Sequence, residues 1–482
     1  MKILLLFPPI TVNIGSVKKC NLPIGLAYVA AYLEKQGHDV HVIDISVEGY
    51  ETEYIVDGKL TFGLTEEEAK RRIKEIDPEL IGISCSFSSQ FDNAVKLCKW
   101  IEDIKNYPIM IGGQHPTLDV INTLNTLSEL DYIIMGEGEI TANELVVALS
   151  EKKPLDKIDG LAFRKDGRII INQPRKPIEN LDEIPLPARH LFNMEKYIRI
   201  NKPFNHFPKK SRVLLMITSR GCPGKCNFCS SPTFWKFARY RSPNDVIKEM
   251  RFLIEEYGAE EIQIEDDNMT GWGDRAKEIF RQMKSLGIVW CAPNGVRINS
   301  IDEEMMQLMK DSGCYRLTYA IESGNEQLRT GYIKKPYKNK DIKMIVNLTK
   351  KYDIGLHTYW IIGFPNETRQ QIQETYNFAK ELNSDSASFC LATPMIGTQL
   401  LKTCKEQDLL NGSFDVRNAN YLQSNIINPN IKSEELEALV YKFNSSYNKR
   451  LLLRNPIKFF KKYGETILKN PKGLLSIFKK FA

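Results

Sequence analysis

Residues 213–231 read VLLMITSRGCPGKCNFCSS. The apolar run at the start has the length and β-branched character of a buried strand. It breaks into a loop that places Cys222, Cys226 and Cys229 within eight positions, beside Gly221, Pro223 and Gly224. A strand that runs straight into chemistry-bearing side chains points to an α/β fold with its ligands at the strand C-terminal ends. Three thiolates on one short loop can each take one iron of a cubane cluster and leave the fourth iron open. A structural zinc site is the competing reading. It calls for paired C-x₂-C spacing and a fourth ligand, and no second cysteine pair follows.

Downstream the alternation continues. EIQIED, VWCAPNG, RLTYAIES, GLHTYWIIG and SASFCLA read as strands, with helices at about 243–257, 272–286, 301–312, 338–352 and 369–382. Six strand–helix units over 206–400 predict a partial (β/α)6 TIM-type barrel, followed by a helical extension over 401–448. Ser300 and Glu303 are spaced as a capping box for the third helix.

Upstream, residues 1–150 alternate in the same way. KILLLF, HDVHVID, LIGISCS, YPIMIGG and LDYIIMG read as five buried parallel strands, and Ile24 to Gln36 carries Leu26, Val29, Ala30 and Leu33 on one helical face. This predicts a doubly wound, Rossmann-like parallel sheet. Its binding edge would carry the loops FPPI, SCSFSS, IGGQH and MGEGE. Ser84, Gly112, Gly113, Gly136 and Gly138 are therefore candidate cofactor-binding positions, the glycines by letting backbone approach a large flat or polyphosphate ligand. Tight turns alone would also explain them. Residues 151–205 are a proline-rich connector with a small hairpin.

The 482 residues, 42% hydrophobic and 26% charged, describe a soluble globular protein of two or three domains. No run of 18 apolar residues occurs, and the N-terminus lacks a cleavage site, so a cytoplasmic location is expected. There, ten cysteines read as thiols or metal ligands rather than disulfides. Net charge is +6, but residues 449–482 hold ten Lys/Arg against Glu465 alone. The body is thus near −3 and does not read as a nucleic-acid binder, whereas the tail is basic and amphipathic. It suits either docking on the barrel or peripheral contact with an anionic membrane surface.

The CxxxCxxC loop and the GFPNET segment resemble those of the radical S-adenosylmethionine enzymes. The N-terminal stretch LPIGLAYVAAYLEKQGHDVHVID, with IGGQHPTL and IIMGEGE, resembles the cobalamin-binding domain of their cobalamin-dependent subgroup, which includes the anaerobic magnesium-protoporphyrin ester cyclase and several methylases. The resemblance implies a [4Fe–4S] cluster on Cys222, Cys226 and Cys229, with S-adenosylmethionine chelating the open iron and cleaved to a 5′-deoxyadenosyl radical. It implies that Phe228 matches the aromatic residue before the last cysteine, and that Ile362, Gly363, Pro365 and Glu367 pack the adenine. Glu265, Asp266 and Asp267 become candidates for the methionine ammonium, Arg297 for its carboxylate and Glu322 for the ribose. A solvated acidic turn or structural ion pairs would also explain these five. Cobalamin is implied as well, without the DxHxxG motif: DVHVID lies inside a strand, so His41 reads as structural.

The reaction expected from the resemblance is cobalamin-dependent methyl transfer to an unactivated carbon of a small or lipid-like substrate, with electrons from a flavodoxin- or ferredoxin-type donor. Such a carbon has no acidic proton, so cofactors must carry the hard step. The alternatives are radical oxidation, cyclisation or carbon–carbon bond formation without methyl transfer, methylthiolation, and a cobalamin-sensing module. Methylthiolation would need an auxiliary cluster and a strand-rich C-terminal barrel. A sensing module leaves the cysteines unexplained.

Overall fold

The computed structural model describes residues 1–200, 208–412, 414–454 and 456. The chain divides into two compact units. One comprises 1–216, 234–260 and 416–418; the other comprises 217–233, 261–415 and the chain from 419.

All five expected strands of the first unit form, at Lys2–Phe7, Asp39–Asp44, Leu80–Ser84, Ile109–Gly112 and Tyr132–Ile134. They are mutually parallel in the order 2-1-3-4-5. The chain therefore winds outward both ways from Lys2–Phe7, and the switch point lies between the first and third strands. Strand periodicity divides the core. Ile3 and Leu5 pack with Leu26, Leu33 and Leu145 from helices Ile24–Lys35 and Gly138–Ser150. Leu4 and Leu6 face Ile73, Leu97 and Ile101 from helices Glu66–Ile76 and Phe91–Glu102. Truncating any of these to alanine would cost roughly 2–5 kcal/mol.

Two features differ from the sequence expectation. The hairpin assigned to the connector extends this sheet: Leu161–Lys165 pairs antiparallel with Tyr132–Ile134, and Arg168–Ile171 continues beyond it. The edge strand would otherwise expose unpaired backbone groups. Helix Pro243–Tyr257, expected within the second domain, belongs to the first unit. Buried charge explains this. Glu249 is wholly buried and accepts from Arg189 Nη2 at 2.7 Å and from Arg241 Nη1. Close by in the chain, Arg239 Nη1 donates to Glu137 Oε2 at 2.6 Å and to the Ile178 carbonyl at 2.7 Å.

In the second unit the strands Glu261–Ile264, Val289–Ala292, Cys314–Glu322, Gly355–Ile362 and Ser386–Leu391 pair in sequence order, each parallel to the next. The expected VLLMITS strand forms as Val213–Met216, but it falls in the first unit rather than the second. Helices Gly273–Met283, Glu303–Asp311, Asn339–Lys351 and Arg369–Leu382 intervene, each near its expected place. The cap of the second of these is not Ser300. Asp302 Oδ1 accepts from Met305 N at 2.7 Å, while Ser300 Oγ bonds Thr270 Oγ1 and the Arg297 carbonyl. From residue 399 on, helices Gln399–Glu406 and Ser433–Arg454 fit the expected helical extension. The basic tail expected over 449–482 falls largely outside the described residues. Among those described, no helix is long and apolar enough to cross a membrane.

Candidate active site

The cysteine loop is shaped by its own backbone and by the second unit's loops. Gly221 takes φ +81°, a value costly for any other residue. Gly224 N–H donates to Cys222 Sγ at 3.4 Å, and Cys229 N–H to the Cys226 carbonyl at 3.2 Å. Asn227 anchors the loop through its backbone. Its N–H donates to the Ile333 carbonyl at 3.2 Å, and its carbonyl accepts from Leu400 N–H at 2.8 Å. Phe228 packs against Phe364 with ring centroids 6.2 Å apart, so the cysteine loop and the GFPNET turn are joined.

The three thiols are partly exposed and unbridged. A β-carbon at Gly224 would stand 3.4 Å from Cys222 Sγ, 3.9 Å from Cys226 Sγ and 3.3 Å from Arg297 Nη1. Two thiols and the guanidinium of Arg297 thus pack close around Gly224. Among the described residues, no three His, Cys, Asp or Glu side chains are drawn together as one mononuclear ion requires. Soft thiolate donors on a glycine-bearing loop suit an iron–sulfur cluster. Burial pushes the Cys229 thiol up to about 12 and raises Cys226 as well, opposed at Cys226 by the positive charge of Lys335 and Arg297. Cluster binding would therefore displace protons from these thiols.

The acidic candidates have distinct surroundings. Asp266 is buried and accepts from Thr218 N–H at 2.5 Å, Thr218 Oγ1 at 2.6 Å and Ser219 Oγ at 2.6 Å. It staples the chain entering the cysteine loop to the end of strand Glu261–Ile264, a role complete without a ligand. Asp267 is exposed and accepts from Ser231 Oγ at 2.6 Å, just past Cys229. The Glu265 carbonyl accepts from Asn294 Nδ2 at 2.8 Å, and its side chain is partly buried. Arg297 is half-buried, with its Nε 3.3 Å from Asn299 Oδ1.

Glu322 is buried at φ +73° where its strand ends, and it pairs with Lys335 Nζ at 2.7 Å. The sequence reading missed Lys335, because nothing in GYIKKP marks one lysine as the buried one. Negative charge on Glu322 holds Lys335 protonated despite its burial. Ile362 is wholly buried and offers its carbonyl to Ala392 N–H, whereas its neighbour Ile361 is partly exposed.

Glu367 closes the GFPNET turn. Its Oε2 accepts from Gly363 N–H at 2.6 Å and Phe364 N–H at 3.1 Å, with Gly363 at φ +81° and Asn366 at +61°. Its Oε1 is buried with no hydrogen-bond partner, and burial pushes the carboxyl up to about 8. Asn227 Oδ1 is likewise buried and unsatisfied. Orphaned buried polar atoms in both the cysteine loop and the GFPNET turn suit a polar ligand there.

In the first unit, Ser84 and Gly112 end neighbouring strands in register. Gly113 takes φ +118°, and a β-carbon there would stand 2.5 Å from the Cys85 carbonyl oxygen, so this glycine is required for packing. Gly136, at φ +76°, faces open space, and Gly138 opens helix Gly138–Ser150. His41 is partly exposed, with Nε2 3.1 Å from Asp39 Oδ1. His115, in the IGGQH loop, is buried with Nδ1 3.0 Å from Ser88 Oγ and its ring 4.3 Å from Phe91. The binding edge is accordingly built of loops and backbone, which fits a corrin held without the DxHxxG histidine.

Comparison with known proteins agrees with both halves. Residues 10–146 match the B12 binding domain, and 216–379 match the Radical SAM superfamily. Cytidylyl-2-hydroxyethylphosphonate methyltransferase of Streptomyces wedmorensis is 34% identical over 483 residues, spanning 93% of this chain and 90% of the relative. The chain belongs to the cobalamin-dependent radical S-adenosylmethionine enzymes. The anaerobic magnesium-protoporphyrin IX monomethyl ester cyclase of Rubrivivax gelatinosus is 26% identical over 380 residues, 77% of this chain and 64% of the relative. The cobalamin-dependent S-adenosylmethionine radical enzyme OxsB shares the fold, with a TM-score of 0.73 at 17% identity over 96% of this chain and 70% of that one. A [4Fe–4S] cluster, S-adenosylmethionine and cobalamin are the cofactors of this radical enzyme family, as the motifs implied.

Proposed function

We propose that this enzyme transfers a methyl group to an unactivated carbon of a small molecule. The reading is carried by the near full-length likeness to a methyltransferase, together with this chain's own B12 binding and Radical SAM matches. When bound, the cofactors supply a reducing electron, a hydrogen-abstracting 5′-deoxyadenosyl radical and a transferable methyl group. The protein's part is positioning. Cys222, Cys226 and Cys229 would hold the cluster, with Gly224 between the first two in the loop. Arg297 would meet the methionine carboxylate beside the Cys222 and Cys226 thiols. The Glu265–Asp267 strand end would offer negative charge to the ammonium, with Asp266 as the staple. Glu322 would be held by Lys335 for the ribose, and the turn closed by Glu367 would receive the adenine. In the first unit, the loops bearing Ser84, Gly112, Gly113, Gly136 and Gly138 would cradle the corrin. A flavodoxin- or ferredoxin-type donor would supply the electron, and the basic tail would hold the enzyme at an anionic inner membrane surface.

The experiment is anaerobic turnover of reconstituted enzyme with methyl-labelled S-adenosylmethionine and cell extract. S-adenosylhomocysteine, deoxyadenosine and a labelled small molecule should accumulate together, and Cys226→Ala should abolish deoxyadenosine. Likeness to the ester cyclase supports a second reading, radical oxidation or cyclisation. Deoxyadenosine with an altered but unlabelled product would favour it.

A further inference from the structure

In strand Gly355–Ile362 the two faces differ. Leu356, Thr358, Trp360 and Ile362 are buried, with Trp360 packed on Phe378 and Phe389 on the helix side. On the opposite face Tyr359 is 38% exposed, although its strand is flanked on both sides. Its register partners are small: Ala320 on one neighbour and Ser388 on the other. The next row toward the strand ends pairs Ile361 with Cys390. All five of these side chains are at least partly accessible, while Tyr319, Ile321, Phe389 and Leu391 between them are buried.

A large ring between two small residues on a sheet face leaves a recess on either side of itself. Tyr421 adds a rim, since its carbonyl accepts from Leu391 N–H at 2.7 Å at the end of the neighbouring strand. It too is accessible, 54% exposed. Yet burial holds both phenols above the ordinary tyrosine range, as expected of rings lining a concavity, and Cys390 lies within electrostatic reach of both. Outside the cluster loop, Cys390 is the one described cysteine that is not buried. Its row is one residue short of Ile362 and the GFPNET turn.

We propose that this recess, lined by Ala320, Tyr359, Ser388, Cys390 and Tyr421, is the methyl-acceptor subsite, and that Tyr359 sets its specificity. The five lining side chains are apolar, hydroxylic or thiol, while His357 packs edge-on against Tyr359 with ring centroids 4.6 Å apart, and Arg316, Glu265 and Glu322 lie within electrostatic reach of its phenol. The recess therefore suits an acceptor whose reacting end is a slim apolar group carrying a hydroxyl or similar hydrogen-bonding partner for the phenols. The assignment rests on the methyl-transfer reading for what happens there, but the recess itself stands on the fold.

The test uses reconstituted holoenzyme, with N-ethylmaleimide as the probe. At pH 8 it should alkylate Cys390 at least tenfold faster than buried Cys98 or Cys404, read by peptide mass spectrometry. Ser388→Leu, which fills the recess from the neighbouring strand, should slow that labelling severalfold while equilibrium binding of S-adenosylmethionine shows the fold intact. In turnover with cell extract, Ser388→Leu and Tyr359→Ala should each lower methyl transferred per deoxyadenosine formed by tenfold or more. Tyr359→Phe should keep most of that ratio. Labelling of Cys390 no faster than of Cys404, or an unchanged ratio in both variants, would overturn the proposal. A wild-type enzyme that makes deoxyadenosine but transfers no methyl would sink the methyl-transfer reading instead, and the recess would then be judged on Cys390 labelling and its loss in Ser388→Leu.

Discussion

The carboxyl of Glu367 makes the second unit's stability depend on pH in an unusual direction. It titrates near 8 in the folded protein against an ordinary 4.5, because burial disfavours its charged form more than two backbone N–H groups favour it. Between those values the native state holds a proton that the unfolded chain releases. The stability this group contributes is therefore fully present below pH 4.5 and lost as pH rises through 8. At 1.36 kcal/mol per pH unit, the loss is on the order of 3 kcal/mol by pH 7 and about 5 kcal/mol above pH 8. Glu367→Gln keeps an acceptor for Gly363 and Phe364 N–H and cannot ionise. It should match wild type near pH 5 and exceed it by about 3 kcal/mol at pH 7. Glu367→Ala strands both N–H groups and should be less stable than Glu367→Gln throughout, by about 1–3 kcal/mol for each group. Urea titrations at pH 5–9, followed by the fluorescence of buried Trp290 and Trp360, measure this. If wild type and Glu367→Gln lose stability in parallel from pH 5 to 8, the carboxyl is ionised in the fold and the reasoning fails.

Lys335→Met should destabilise the second unit by about 3–5 kcal/mol in urea, because Glu322 is left charged and buried, and adding Glu322→Gln should restore most of it. Gly113→Ala meets both a positive φ and the Cys85 carbonyl. It should cost more stability than Gly136→Ala, where only the backbone is strained, and should weaken cobalamin binding measured by absorbance. Full-length protein should float with anionic liposomes in a salt-sensitive way and a 1–448 truncation should not; equal partitioning would assign the tail to packing.

Strands and helices were legible because their periodicities are local: Ile3 to Leu6 alternate between two cores just as the run KILLLF suggests. Helix Pro243–Tyr257 was legible to the residue, since Ser242 caps it and Gly258 ends it at φ +61°. Its allegiance was not, because that depends on Glu249 meeting Arg189, 60 positions earlier. Asp302 outcompeted Ser300 as a cap because Ser300 was already bonded to Thr270. At the site, CxxxCxxC and GFPNET announced themselves by composition, whereas the Asp266 staple exists only once segments 48 residues apart meet, and the Glu322–Lys335 pair depends on how the loop after Glu322 turns back. Tyr359 was hidden for a different reason: a tyrosine in an apolar strand reads as core, and its accessibility depends on Ala320 and Ser388 being small.

The buried Arg189–Glu249 pair also bears on how the protein is made. At synthesis rates of about 5–20 residues per second, the guanidinium of Arg189 leaves the ribosome several seconds before its carboxylate. The intervening segment includes the whole cysteine loop, residues 217–233. A charge that must be buried has no partner until helix Pro243–Tyr257 has emerged, so the first unit cannot close on the nascent chain before then. The cysteines are thus exposed to solvent and oxidants while their scaffold is still incomplete. Slow translation or early arrest between 230 and 249 would yield a chain vulnerable to oxidation at three positions, and clusters inserted after release would reach a cysteine loop whose own unit, the second, is already complete.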